Sequence, residues 1–215
     1  MRDLFDWDMP ERTVEHPAED VVLFRHFATH LRNEVEMAVQ QMMTRSPFRH
    51  MQTPGGYSMS VAITNCGDYG WVTDHQGYRY MSIDPMTQQS WPMMPPFLKQ
   101  LAIDAAAQAG YADFVPDVCL INRYEVGARM SLHQDIDETD FSQPIVSLSI
   151  GLPAVFQLGG MKRSDSTQRI LLSEGDVLVW GKSARLRFHG VLPIKAGRLP
   201  DDPTFRLNLT FRKAK

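Results

Sequence analysis

The sequence predicts a mainly β protein, a sandwich or barrel, with helices flanking it. Three observations point there. From Val118 onward, short runs of β-branched and aromatic residues recur between turn residues: Gly127, Gly151-Leu152-Pro153, Gly159-Gly160, Glu174-Gly175-Asp176 and Gly181. The last of these runs, Phe205 to Arg212, alternates apolar and polar without a break, which is the period of a strand with two unlike faces. Two earlier stretches carry instead the apolar stripe of a helix.

In chain order, residues 1–20 are acidic and rich in Pro and Glu, and read as a tail or loosely docked arm. Val21-Val22-Leu23-Phe24 is a short strand. Thr29 is placed to N-cap a helix running to about Met43, with Leu31, Val35, Ala38, Val39 and Met42 on one stripe. A second helix fits from about Pro95 to Ala109, with Pro at its start, Gly110 just past its end, and Phe97, Leu98, Leu101, Ala105 and Ala109 on its apolar face. Both helices read as outer supports for a sheet. Between them, residues 47–94 look irregular and rich in Gly, Pro, Met and aromatics. Thr53-Pro54-Gly55-Gly56 and Asn65-Cys66-Gly67 are turn chemistry, and Tyr57 to Ile63 is a strand candidate. Such a segment serves either as a binding lid or as a structural excursion with its aromatics tucked into a core. The later strands are expected at Val118–Tyr124, Ile145–Ile150, Ala154–Leu158, Arg169–Leu172, Asp176–Trp180, Leu186–His189 and Phe205–Arg212.

The 215 residues fit one domain, with room for an appended lobe. A net charge of −3 excludes a globally basic nucleic-acid binder, so a polynucleotide ligand would need a local basic patch. Cys66 and Cys119, the only cysteines, read as small buried apolar residues rather than a disulfide. The N-terminus has no secretory apolar region and no apolar run reaches membrane-spanning length, so a cytoplasmic monomer without a membrane partner is expected.

Chemistry gathers at Ser131-Leu132-His133-Gln134-Asp135-Ile136-Asp137. In extended chain, residues two apart point the same way, so His133 and Asp135 converge on one point. With His189 from downstream they complete two histidines and a carboxylate, the facial triad of non-haem Fe(II) oxygenases. The pair alone is weak, since His and Asp often fall at this spacing by chance. The last strand strengthens it. Arg206, Asn208, Thr210 and Arg212 share one face. If that face looks inward, its guanidiniums need an anion, and a dicarboxylic acid with an Arg near each end would supply two. On the Val118–Tyr124 strand, Asn122 and Tyr124 follow Leu120 along one face and extend the same hydrogen-bonding wall. On residues alone, a zinc hydrolase also suits the His, Asp and His set, though it has no use for twin arginines. A non-catalytic binding module remains a further reading.

At these residues the sequence resembles the AlkB-type 2-oxoglutarate- and Fe(II)-dependent dioxygenases, the bacterial members above all. The likeness rests on His133-x-Asp135 with His189, and on Arg206-x-Asn208-x-x-x-Arg212 with five residues between the arginines. It extends to Ser46-Pro47-Phe48-Arg49, Thr53-Pro54-Gly55-Gly56-Tyr57, Thr64-Asn65-Cys66-Gly67, Leu120-Ile121-Asn122-Arg123-Tyr124 and Leu132-His133-Gln134-Asp135, and so to nearly the whole chain past residue 20. The resemblance implies a double-stranded β-helix (jelly roll). Residues 1–20 would form a tail. Residues 21–115 would hold the support helices and a nucleotide-recognition lid, and residues 116–215 the catalytic core, all within one compact domain. It implies oxidative removal of alkyl groups from bases such as 1-methyladenine and 3-methylcytosine. The substrate would be alkylated single-stranded DNA, with double-stranded DNA and RNA as further candidates. Fe(II), 2-oxoglutarate and O2 would supply the oxidising power, and the protein position and electrostatics. His133, Asp135 and His189 would bind iron. Asn122, Tyr124, Arg206, Asn208 and Arg212 would bind 2-oxoglutarate, with Arg206 at the distal carboxylate and Arg212 at the keto-acid end. Trp71 would contact the base, Thr53 and Tyr78 the phosphates, and Asp137 and Arg163 the substrate. A flipped base would lie between Trp71 and His133. An oxygenase acting on protein or a small molecule is the alternative, disfavoured by the aromatic segment 53–80 only through the resemblance.

Overall fold

A computed structural model describes residues 11–197 and 203–215. Alternation along the strands builds three layers. In an eight-stranded sheet, each strand sends one set of side chains to a helical layer and the other set to a second sheet. In chain order, β1 (Thr13–Ala18) and β2 (Val21–Arg25) lead to a short 3₁₀ turn and α1 (Arg32–Met43). Next come β3 (Arg49–Gln52), β4 (Ser58–Gly67), β5 (Gly70–Asp74), β6 (Gly77–Met81) and α2 (Pro96–Gln108). The remainder is β7 (Val118–Glu125), β8 (Met130–His133), β9 (Ile145–Gly151), β10 (Ala154–Leu158), β11 (Gln168–Leu172), β12 (Val177–Trp180), β13 (His189–Val191) and β14 (Phe205–Arg212). The large sheet runs β1-β2-β12-β9-β14-β7-β4-β3, the small one β11-β10-β13-β8, and β5 and β6 form a separate hairpin.

The outer core lies between α1, α2 and the large sheet. Val35, Val39, Met42, Leu98, Leu101 and Ala105 meet Val146, Leu148, Ile150, Val177, Val179, Leu207, Leu209 and Phe211 there. The alternate residues face the small sheet: Leu23, Ile145, Leu178 and Trp180 pack on Phe156, Leu158, Ile170 and Leu172. The expected jelly roll with outer support helices is therefore the fold. The polar row of β14 points between the sheets, with Arg206, Thr210 and Arg212 buried and Asn208 half-buried. Cys66 and Cys119 face each other in register across β4 and β7, reduced and fully buried.

Several local expectations are corrected. Residues 13–18 are not a tail but β1, paired with β2, while residues 1–10 lie outside the described part. Thr29 does not cap α1. It sits in the 3₁₀ turn with its hydroxyl toward the Glu174 carbonyl at 3.5 Å, and Leu31 takes the cap position without a side-chain bond. Residues 47–94 are more regular than their composition suggests, because β3 and β4 extend the large sheet and β5–β6 stands beside it. Asn65-Cys66-Gly67 is the end of β4, paired with Leu120, Cys119 and Val118, not a turn. Gly67 has φ +119, and a Cβ there would collide with the Asp117 carbonyl. Leu186 to Phe188 is not extended strand, so His189 opens β13 where it was expected to close a strand.

Candidate active site

His133 ends β8 and His189 begins β13, and the two are Cα partners across the small sheet. Pairing of these strands alone sets the rings 4.4 Å apart between centroids. Asp135 follows just past the strand end. Its Oδ1 lies 3.7 Å from Nε2 of His133 and its Oδ2 3.5 Å from Nε2 of His189. One ligand atom from each residue falls within 4.8 Å of the others. Each histidine directs Nδ1 at the carbonyl two residues back: His133 to Ser131 at 2.9 Å and His189 to Arg187 at 3.1 Å. A carbonyl demands a donor, so Nδ1 carries the proton and Nε2 turns a lone pair inward, as metal-binding imidazoles require.

The electrostatics agree. Loss of solvent around the ring, with His189 beside it, pushes His133 down to about 4, leaving it neutral at pH 7. Burial alone would raise the Asp135 carboxyl, but Arg212 and the two imidazoles overrule it and hold it well below the usual carboxylate range. Asp135 is thus a carboxylate and His133 a neutral imidazole, the deprotonated forms a divalent metal needs.

Beside it lies a buried guanidinium. Arg206 is 1% exposed. Its Nη2 donates to Ser149 Oγ at 2.7 Å and its Nη1 to the Leu152 carbonyl at 3.2 Å, while Nε is buried without a partner. Burial lowers it to about 10, so it remains a cation at neutral pH. A buried cation facing only neutral acceptors is costly, and a carboxylate is the group that relieves it. Tyr124 is the β7 partner of Arg206 in register, and burial pushes its hydroxyl up to about 12, so it is a neutral donor. Asn122 and Asn208 face each other in the same pairing, with Asn122 Oδ1 buried and unpartnered and Asn208 Nδ2 donating to Ser147 Oγ at 2.7 Å. The His-Asp-His set and the orphaned Arg206 Nε fit a metal with a bound dicarboxylate.

Arg212 differs from Arg206. Its Nη2 donates to Asp135 Oδ2 at 2.7 Å and its Nη1 to the Tyr80 hydroxyl at 3.1 Å. It sits at the metal end of the row, behind the carboxylate ligand, with most of its charge already answered.

Toward solvent, three of the five expected substrate residues meet. Trp71 stacks on Tyr78 with centroids 5.6 Å apart and planes 17° from parallel, and its Nε1 donates to Asp137 Oδ2 at 2.7 Å. Partial burial raises the Asp137 carboxyl and the Trp71 bond only partly offsets it. The backbone of Trp71 is held by Asn65, whose side-chain amide bonds both its N–H and its C=O, at 3.0 and 3.1 Å. Thr53 lies in the β3–β4 turn, where its hydroxyl accepts the Tyr57 N–H at 3.2 Å. Arg163 donates to the Leu132 carbonyl and lies 5.1 Å over the Phe188 ring, so it straps the residues that immediately precede both histidines.

Five contributors escaped the sequence reading: Tyr80, Glu138, Arg185, Ser147 and Ser149. Glu138 is buried against Arg185 at 3.0 Å and accepts from the Tyr80 hydroxyl at 2.6 Å. Arg185 also donates to the Asp135 carbonyl at 2.8 Å. No local pattern marks these. Ser147 and Ser149 did leave a signal, since they interrupt the apolar run of β9 at alternate positions on the inward face.

The sequence pattern of the 2OG-Fe(II) oxygenase superfamily matches residues 20–212. The chain is 53% identical over 197 residues to the alpha-ketoglutarate-dependent dioxygenase AlkB of Escherichia coli (strain K12), covering 92% of this chain and 91% of that one. It is 51% identical over 214 residues to the protein of the same description from Salmonella typhimurium, covering 100% and 98%. Among solved structures, that of OsALKBH1 matches with a TM-score of 0.79 at 28% identity, covering 94% of this chain and 100% of that chain.

Proposed function

The chain belongs to the 2OG-Fe(II) oxygenase superfamily, and from that premise we propose how its residues divide the work of oxidative base dealkylation. It is an Fe(II)- and 2-oxoglutarate-dependent dioxygenase of alkylated DNA. Bound iron, 2-oxoglutarate and O2 supply the oxidising power; the products are succinate, carbon dioxide, an aldehyde and the restored base.

His133, Asp135 and His189 hold the iron through two imidazole nitrogens and one carboxylate oxygen. Arg206 takes the distal carboxylate of 2-oxoglutarate in a forked, charge-assisted pair, with Tyr124 donating alongside. Asn122 and Asn208 line the middle of the acid, and Arg212 serves its keto-acid end while keeping Asp135 in place. The observation that carries this reading is Arg206, a buried guanidinium facing only neutral acceptors beside a His-Asp-His cluster.

The substrate contacts follow from the rim. A base inside a duplex cannot reach the metal and must leave the stack, which costs a few kcal/mol and least in a damaged or single strand. Trp71 and His133 receive the flipped ring on its two faces, since stacking tolerates any base. Asp137 accepts from the amino group of an alkylated base, or answers its cationic charge. Tyr78, Thr53 and Arg163 meet phosphates. Single-stranded DNA carrying 1-methyladenine or 3-methylcytosine is the preferred substrate on this account. Residues 21–115 supply the support helices and the lid, and residues 116–215 the catalytic core.

Mass spectrometry of a singly methylated oligonucleotide incubated with the protein, Fe(II), 2-oxoglutarate and air tests the function. Loss of one methyl only when all three additions are present is expected. An unchanged mass, with peptide hydroxylated instead, would overturn the substrate. Parallel DNA and RNA oligonucleotides of one sequence decide between the two polymers.

A further inference from the structure

Trp71 and Tyr80 are directly paired across the β5–β6 hairpin, so their side chains stand on one face. Each sends one hydrogen bond into the loop that follows Asp135. Trp71 Nε1 donates to Asp137 at 2.7 Å, and the Tyr80 hydroxyl donates to the next residue, Glu138, at 2.6 Å. The Tyr80 oxygen also accepts from Arg212 Nη1 at 3.1 Å, and the same guanidinium donates through Nη2 to Asp135 at 2.7 Å. From the hairpin to the carboxylate of the metal set there are thus two hydrogen bonds and one rigid planar group.

Around that path nothing is free to adjust. The side chains of Asp135, Glu138, Arg185 and Arg212 are each 7% exposed or less. Arg185 braces the loop from behind, through Glu138 and the Asp135 carbonyl. In such a setting, one missing hydroxyl takes from Glu138 Oε1 its 2.6 Å donor and from Arg212 Nη1 its acceptor, leaving between Glu138 and the guanidinium only the longer Arg212 Nε–Glu138 Oε1 contact at 3.6 Å.

We propose that Tyr80 is a positioning residue whose hydroxyl, through Arg212, couples the Gly70–Met81 hairpin to Asp135, so that filling the metal centre and seating the lid hairpin stabilise one another. The inference rests on the proposed reading for the identity of the centre. Because linkage is reciprocal, a hairpin held against Glu138 and Arg212 raises the affinity of the metal set, and a filled metal set raises the protection of the hairpin.

The test uses the full chain with Mn(II) and 2-oxoglutarate, which load the centre without turnover, and reads hydrogen exchange in peptides covering Gly70–Met81. In the native chain, loading is expected to slow exchange there by about five-fold or more, the lower end of ordinary coupling between sites. In Tyr80→Phe, which keeps the ring and its packing, the slowing should fall below about two-fold, and the midpoint of a Mn(II) titration followed by tryptophan fluorescence should rise about five-fold in step. A variant whose hairpin slows like the native one overturns the proposal. So does a native hairpin indifferent to loading, a comparison that needs no variant to fold. Neither readout involves nucleic acid. A chain that shows the coupling but leaves methylated oligonucleotide intact sinks the substrate assignment and not this one, and a chain that demethylates without the coupling does the reverse.

Discussion

Arg206 and Arg212 sit six positions apart on one strand and one face, yet their surroundings give them opposite characters. Arg212 meets Asp135 and is held charged, its pKa pushed above the usual value despite burial. Arg206 meets a serine hydroxyl and a carbonyl, and its pKa falls to about 10. The two substitutions therefore differ in kind. Arg206→Ala removes an uncompensated buried cation, so the fold should survive. Losing a charged hydrogen-bonding partner worth about 1.5–3 kcal/mol should weaken 2-oxoglutarate binding by about 10- to 100-fold. Isothermal titration against the Mn(II)-loaded protein checks it, and unchanged affinity would remove Arg206 from the acid site. Arg212→Ala instead strips buried Asp135 of its 2.7 Å partner and takes from Glu138 its 3.6 Å contact, leaving it Arg185 and Tyr80. A thermal melt should fall further for it than for Arg206→Ala.

At the scale of elements, the hairpin β5–β6 is only as well placed as the chain on either side of it. On one side Asn65 holds Trp71. On the other, Asp84 receives Ser46 Oγ at 2.7 Å, Arg49 at 2.7 Å and the Met86 N–H at 2.9 Å, with a side chain 1% exposed. Burial pushes the Asp84 carboxyl up, but Arg49 and Ser46 more than reverse this, so its pKa in the fold is lowered. A lowered carboxylate stabilises the fold above the ordinary carboxylate pKa, near 4, and that stability is lost as pH falls through the lowered value. Asp84→Asn should therefore be less stable than the native chain at pH 7 by about 3 kcal/mol, the cost of breaking a buried pair. The gap should narrow as the pH is taken below about 4 in parallel denaturant titrations. A gap that persists at low pH would mean that hydrogen bonding, not charge, anchors this corner. The registry of β4 against β7 shows why this region was misread. Gly67 looks like a turn residue in sequence, but its work is to let β4 pass the Asp117 carbonyl.

For the molecule as a whole, the net charge of −3 sets what a polyanion can find on it. The expected phosphate contacts are few, with Arg163 and its neighbour Lys162 the cations among them. Two neutralised phosphates on a single strand give a slope of about −1.4 in log affinity against log salt. Oligonucleotide binding measured between low and physiological salt should follow so shallow a line. A slope several times steeper would point to a basic track elsewhere on the surface. No described helix is long and apolar enough to cross a membrane.

How much of this was legible in advance follows from the range of each interaction. Strand β14 could be read to the residue because alternation is a local, period-two signal. The metal set could be named because two of its members lie two positions apart and the third ends a recognisable motif. The chain by itself determined both helices and most strands after Val118, the polar row of β14 and the chemical character of the site. Only the tertiary structure decided that Arg212 belongs to Asp135 while Arg206 stands free for an acid. It also decided that Glu138 is a buried partner of Arg185, and that Tyr80 reaches the metal end from the β5–β6 hairpin. These depend on which groups meet across sheets and loops far apart in sequence. In a low-dielectric interior the neighbour, not the residue type, sets what a charge does.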